Sequence, residues 1–177
     1  MIWLTRIAAV LGGIIALAAA TLLVLGQFES WRSLEASIEI ARPPAQVWPF
    51  LYEEAKLKQW VTWLVEAKPS VEPTPGARGR WVMRDENNGG ALMNIDSVVT
   101  AVEPARRLEV DLDVAGEFTG HGEYELIPAG SGTRVITRQR YQFNHWFPKL
   151  MMPLVTVAAG RKLHSDLALM KKAVEAN

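Results

Sequence analysis

The sequence predicts an α+β protein: an antiparallel sheet of about seven strands, curved around a long C-terminal helix, with one apolar helix in front. Three observations carry this. Ile7 to Leu25 is an unbroken apolar run. From Leu34 to Asn144 apolar and polar residues repeatedly alternate, with breaks rich in Gly, Pro and Asn, as strands and turns require. From Pro153 onward apolar residues recur at helical spacing. Strands in series with helices kept to one side define the class, and 177 residues suit one domain with an appendage.

The front run, IAAVLGGIIALAAATLLVL, carries no charge, and Thr21 is its only polar side chain. As a helix it extends about 28 Å, close to a bilayer core of about 30 Å. Trp3 precedes it and Phe28 and Trp31 follow it, as aromatics do at membrane interfaces. A cleaved signal peptide is the competing reading, with Arg6 as basic start and Ala18-Ala19-Ala20 as small-residue site. The apolar Leu22 to Leu25 beyond that site favours an uncleaved anchor. Arg6 biases the short N-terminal end to the cytoplasm. The expected organisation is an anchor over residues 1–28, a connector over 29–33 and a globular domain over 34–177. The chain is then single-pass in the cytoplasmic membrane, with its domain on the extracytoplasmic side.

Within the domain, Leu34 to Ile40 alternates and Arg42-Pro43-Pro44 stops it. Pro44 fits a first helical turn, so Ala45 to Tyr52 reads as a short helix carrying Val47, Trp48 and Leu51. A second helix is expected over Leu57 to Ala67, from Trp60, Trp63 and Leu64 at i, i+3, i+4. Val71 begins a brief strand that Pro73-Thr74-Pro75-Gly76 ends. Gly79 to Glu86 alternates, and Asn87-Asn88-Gly89-Gly90 is a hairpin signal. Ala91 to Val102 is a long strand with Met93, Ile95, Ser97, Val99 and Ala101 on one face. Arg107 to Ala115, Gly120 to Ile127 and Thr133 to Asn144 complete the sheet. The final helix, Pro153 to Ala176, has an apolar stripe of Val155, Ala159, Leu163, Leu167, Met170 and Val174.

The composition removes several function classes. Nineteen basic residues balance nineteen acidic ones, and a pI near 6.8 lacks the concentrated basic surface of a nucleic-acid binder. Without Cys there is no disulfide framework, thiolate zinc site or cysteine nucleophile. His121, His145 and His164 share no metal-ligand spacing, so no metal is expected. His121 reads as a turn or strand start with no visible partner for base catalysis. Ser-based elbow, phosphate loop and dinucleotide fingerprint are all missing. No catalytic residue and no cofactor are assigned.

The segment SIEIARPPAQVWPFLYEEAKLKQW, Ser37 to Trp60, carries a strand, a Pro-containing helix start, a Val-Trp pair and a closing Trp. With Gly76-Ala77-Arg78-Gly79-Arg80-Trp81, the Glu103-Pro104 turn and Gly132-Thr133-Arg134-Val135, it resembles the START/polyketide cyclase–dehydrase superfamily (SRPBCC). This is the helix-grip fold that includes pollen-allergen-like lipid binders. The resemblance spans Leu34 to nearly the end. It implies a cavity between sheet and long helix that holds an apolar or amphipathic small molecule, such as a lipid or isoprenoid. The same fold also serves cyclases, hydrolases and chaperone regulators.

Charged residues mark the outer face of each strand, so opposite parity marks the inner one. Glu109, Asp111, Asp113, Glu123 and Glu125 face outward on neighbouring strands, opposite Arg134, Arg138 and Arg140, as cross-strand charge pairing explains. The expected ligand-lining residues are Trp81, Met83, Met93, Ile95, Val110, Leu112, Tyr124, Leu126, Thr137, Gln139 and Tyr141. Gln139 and Tyr141 are the expected polar anchors, with Asp85 at a rim. Trp48 reads as core, Trp60 and Trp63 as core or cavity entrance, and Trp81 as either core or lining. The leading function is a membrane-tethered binding or transport domain for a hydrophobic or lipid-like small molecule. A polyketide cyclase/dehydratase-like enzyme is the alternative, and a protein-interaction or stress-response module the next. A pocket below about 300 Å³ favours the last.

Overall fold

A computed structural model describes residues 2–25, 33–86 and 89–177. Helix α1, Ile2–Leu25, leads. Strand β1 (Ser33–Ile40), helix α2 (Pro44–Val47), a 3-10 turn (Trp48–Leu51) and helix α3 (Glu54–Leu57) follow. Then come β2 (Leu64–Lys68), β3 (Arg78–Asp85), β4 (Ala91–Glu103), β5 (Arg107–Val114), β6 (Phe118–Ala129), β7 (Gly132–Phe143) and helix α4 (Trp146–Ala176). The seven strands form one antiparallel sheet in the order β1-β7-β6-β5-β4-β3-β2. Helix α4 lies over β1 and β7. This is the helix-grip arrangement that the sequence implied.

The core sits between α4, the short helices and the inner sheet face. Leu167, Met170 and Val174 of α4 are buried with Ala36 and Ile40 of β1, Val135 of β7 and Val47 of α2. Each of the larger aliphatic side chains here, Ala36 apart, contributes roughly 1.5–3 kcal/mol on removal from water. Pro43 caps α2 in extended conformation and Pro44 opens it, since a first-turn Pro forfeits only an amide that has no helical acceptor. Trp48 and Trp60 are buried core. Trp60 donates its indole N–H to the Phe50 carbonyl at 2.9 Å, which settles its one polar group.

Several expectations are corrected. The helix expected over Leu57 to Ala67 is absent: α3 ends at Leu57, and Leu64 to Lys68 is strand β2. Pairing of Leu64 with Met83 and Ala67 with Trp81 on β3 outweighs the helical spacing. Val71 lies in a bend, not a strand, among four prolines and glycines that deny it a partner. The helix over Ala45 to Tyr52 tightens to 3-10 at Trp48, next to Pro49, which has no N–H to continue the α ladder. Ala101 leaves the face of Val99: a bulge between them pairs Ala101 with Glu109 on the outside and returns Val102, opposite Leu108, to the inside. His121 stands within β6 rather than at its start. Helix α4 starts at Trp146, so Pro153 is inside it, buried beside Met152. Tertiary packing overrides the cost of the lost amide there. Val155 is exposed, so the buried part of the stripe is its later portion.

Helix α1 is exposed along its apolar length, and Arg6–Val24 is long and apolar enough to cross a membrane, with a mean hydropathy of 2.6. A signal sequence passes the same test. Most of the expected connector, 29–33, and the Asn87-Asn88 pair lie outside the described residues.

Candidate functional site

The strand register puts all eleven expected lining residues on the face that α4 covers. Across the sheet, Met83 stands opposite Met93, and Trp81 opposite Ile95. Val110 pairs with Gly122, Leu112 with Gly120, Tyr124 with Thr137, and Leu126 with Val135. Gln139 and Tyr141 extend the same face of β7. Leu126, Thr137 and Ile95 are buried on this face. Trp81, Met83, Met93, Val110, Leu112, Tyr124, Gln139 and Tyr141 are half-buried, so solvent partly reaches this part of the inner face. Asp85, opposite Ala91, ends the inner face of β3.

Two glycines deepen the cleft. Gly120 and Gly122 occupy inner positions of β6 where any other residue projects a side chain. A Cβ on Gly120 meets the Tyr141 ring at 3.2 Å, so the ring lies over the bare backbone. Neither glycine is among the expected lining residues, although their spacing of two on a strand is the available signal.

A chain of uncharged polar groups crosses this apolar surface. Tyr141 donates its hydroxyl proton to Gln139 Oε1. Gln139 Nε2 donates to the Tyr124 hydroxyl at 3.2 Å and to Thr137 Oγ1 at 3.4 Å. Burial pushes the Tyr124 hydroxyl up to about 12, against the opposing hydrogen bonds from Gln139 and Thr137, and the Asp166 charge adds to the rise. Burial also raises Tyr141, with a smaller contribution from Tyr124. Both phenols therefore stay neutral at physiological pH. Trp60 packs edge-on to Tyr124, centroids 6.4 Å apart, and fixes its ring.

One end of the cleft is fastened by a cluster that the sequence reading did not find. Asp166, buried on α4, ion-pairs with Lys162 one turn away and accepts from Thr62 Oγ1 at 3.1 Å. Lys162 also donates to Thr62 at 3.1 Å and lies over the Trp63 ring. Trp63 is thus half-buried beneath Lys162 and outside the buried core. The available signal was an acid at position 166, in step with the apolar Leu163 and Met170 on the same helix face.

The opposite face is charged. Arg138 bridges Glu35 at 3.0 Å, Glu123 at 3.4 Å and Glu125 at 3.3 Å. His121 does have a partner, unlike the sequence expectation: Asp111 Oδ1 lies 2.7 Å from its Nδ1, across the β5–β6 ladder. This pair borders a recess of about 760 Å³ that runs along one register row of the outer face, from Arg78 through Val98, Asp111 and His121 to Arg140 and Ser33. Of the eleven expected lining residues only Leu112 and Tyr141 border this recess. Among the described residues no three His, Asp or Glu side chains gather as a metal site.

Comparison with known proteins agrees with this geometry. Protein NE0264 from Nitrosomonas europaea superposes with a TM-score of 0.64 at 19% identity, over 84% of this chain and 97% of its own. TTHA0849 from Thermus thermophilus gives 0.64 at 20% identity, over 81% and 97%. Ara h 8.0201 gives 0.62 at 12% identity, over 82% and 98%. At such identities these likenesses establish the fold alone. A search of curated proteins returned no match. The model of the family described as polyketide cyclase / dehydrase and lipid transport matches residues 32–175, which is most of the chain. The chain belongs to that family.

Proposed function

We propose that this chain binds a hydrophobic or amphipathic small molecule in the cleft beneath α4, and that α1 tethers it to a membrane. The observation that carries the binding reading is one face of one sheet: buried and half-buried apolar side chains from Trp81 to Leu126 surround one uncharged network, in which Tyr141 donates to Gln139 and Gln139 donates to Tyr124 and Thr137. An apolar concavity with a few placed polar groups is the common form of a small-molecule site. The family, which takes in lipid transport, supports the same ligand class. The tether reading rests on the length and hydropathy of Arg6–Val24. From Leu25 to Ser33 the backbone reaches at most about 30 Å, so a tethered domain stays beside its membrane and its ligand concentration there is raised.

The test is mass spectrometry of organic extracts from the full chain purified in amphipol, followed by titration with apolar probes. A co-purifying or saturably bound apolar molecule is expected. A chain that neither carries nor binds one overturns the reading. Fractionation tests the tether: the full chain is expected in carbonate-washed membranes, and recovery in the soluble fraction overturns it.

A further inference from the structure

Resting on that binding reading, we infer that the polar end of the ligand is a neutral hydrogen-bond donor, such as an alcohol or phenol hydroxyl, and that an ionised carboxylate or phosphate is excluded. A tyrosine hydroxyl offers one donor and two acceptor sites. Tyr141 uses its donor on Gln139, which leaves its lone pairs for a ligand O–H or N–H. Both ends of the Gln139 amide are engaged, the oxygen by Tyr141 and the nitrogen by Tyr124 and Thr137. What Tyr141 offers at the half-buried end of the chain is therefore an acceptor. A carboxylate, which only accepts, finds no complement in it.

Charge points the same way. None of the eleven inner-face residues is charged, while the Arg and Glu side chains of these strands lie on the other face. Lys162, beside this face, is already held by Asp166, Thr62 and the Trp63 ring, and the Arg78 and Arg140 side chains that border the recess shared with Tyr141 stand on the outer face. The buried charge near Tyr124 is the Asp166 carboxylate, which repels a second anion. An ionised head group drawn into this surface loses water without gaining a counter-charge, whereas a hydroxyl exchanges one hydrogen bond for another. The raised ionisation of both tyrosines fits a site that stays uncharged.

The test compares dodecanol with laurate, which share a chain length. Each is titrated at about pH 8, where laurate is fully ionised, into the full chain in amphipol, with tryptophan fluorescence as readout. Dodecanol is expected to bind at least about tenfold more tightly. Tyr141→Phe is expected to weaken dodecanol by about fivefold, the size of one net hydrogen bond, and to leave laurate unchanged. Laurate binding as tightly as dodecanol overturns the inference but leaves the binding reading standing. So does a Tyr141→Phe chain, folded by circular dichroism, that binds dodecanol unchanged. Saturable binding of neither probe overturns the binding reading and the inference together.

Discussion

The Lys162 ammonium stands 4.7 Å from the centre of the Trp63 ring. Through it, and through Thr62 and Asp166, α4 is fastened to the turn that precedes β2, about a hundred residues away in the chain. Lys162→Ala removes the counter-ion of a buried carboxylate as well as the ring contact. The expected loss is about 1–3 kcal/mol, below the full value of a buried pair because Lys162 is partly solvated. Urea midpoints of Lys162→Ala, Asp166→Ala and the double variant check this. The double variant is expected to lose less than the sum, and strict additivity counts against the coupling.

Alkaline titration reads the polar chain directly. Burial raises Tyr124 to about 12, and Tyr52 and Tyr141 also lie above the ordinary value of 10.0. A phenol whose ionisation is harder in the folded state stabilises fully below pH 10, and that contribution is lost as pH rises toward 12. Tyrosinate absorbance is expected to stay small at the ordinary phenol range and to rise together with loss of the circular dichroism signal. Reversible ionisation of all three tyrosines near pH 10 with the fold intact contradicts it.

Acid acts through a different group. Hydrogen bonds from Lys58 and Lys68 hold Glu54, in the first turn of α3, down at about 2. The stabilisation is present above the ordinary carboxylate value of 4.5 and is lost as pH falls toward 2. Wild type is expected to lose more stability across that window than Glu54→Gln, measured by urea unfolding at several pH values. Parallel acid profiles rule this contribution out.

The two cleft glycines are expected to differ. A methyl at Gly120 meets the Tyr141 ring at 3.2 Å and the Arg140 carbonyl at 3.3 Å. Gly120→Ala therefore displaces the ring and costs about 1–2 kcal/mol. A methyl at Gly122 meets Val110 at an ordinary 3.4 Å. Gly122→Ala is expected to stay within about 0.5 kcal/mol of wild type, as reduced unfolded-state freedom offsets the crowding. Thermal unfolding of both variants separates them.

Much of this was legible because charges label the outer face of most strands, Asp85 at the end of β3 being an exception. Glu109, Asp111 and Asp113 fix the parity of β5, and Arg134, Arg138 and Arg140 that of β7, so the eleven inner residues follow by alternation. The failures have one cause. Trp60, Trp63 and Leu64 fit a helix by spacing, yet the edge of β3 claims Leu64 and Ala67 for a strand. The bulge that turns Ala101 outward is set by how β4 meets β5, not by any residue type near Thr100. The Thr62–Asp166–Lys162 cluster joins groups that only the folded topology brings together. Local pattern decides which way a side chain points; partner strands decide whether the pattern is used.

An open sheet ends in two strands with unsatisfied amides, and any second copy of the chain offers amides to match. Strand β2 is one such end, and it is a poor template. It spans five residues, breaks its own register between Leu64 and Glu66, and carries Glu66 and Lys68 before Pro69 stops it. Short length, a bulge, charge and proline are the features that discourage intermolecular strand addition. The irregularity of β2 is thus a safeguard against copies of the chain zipping into an extended sheet.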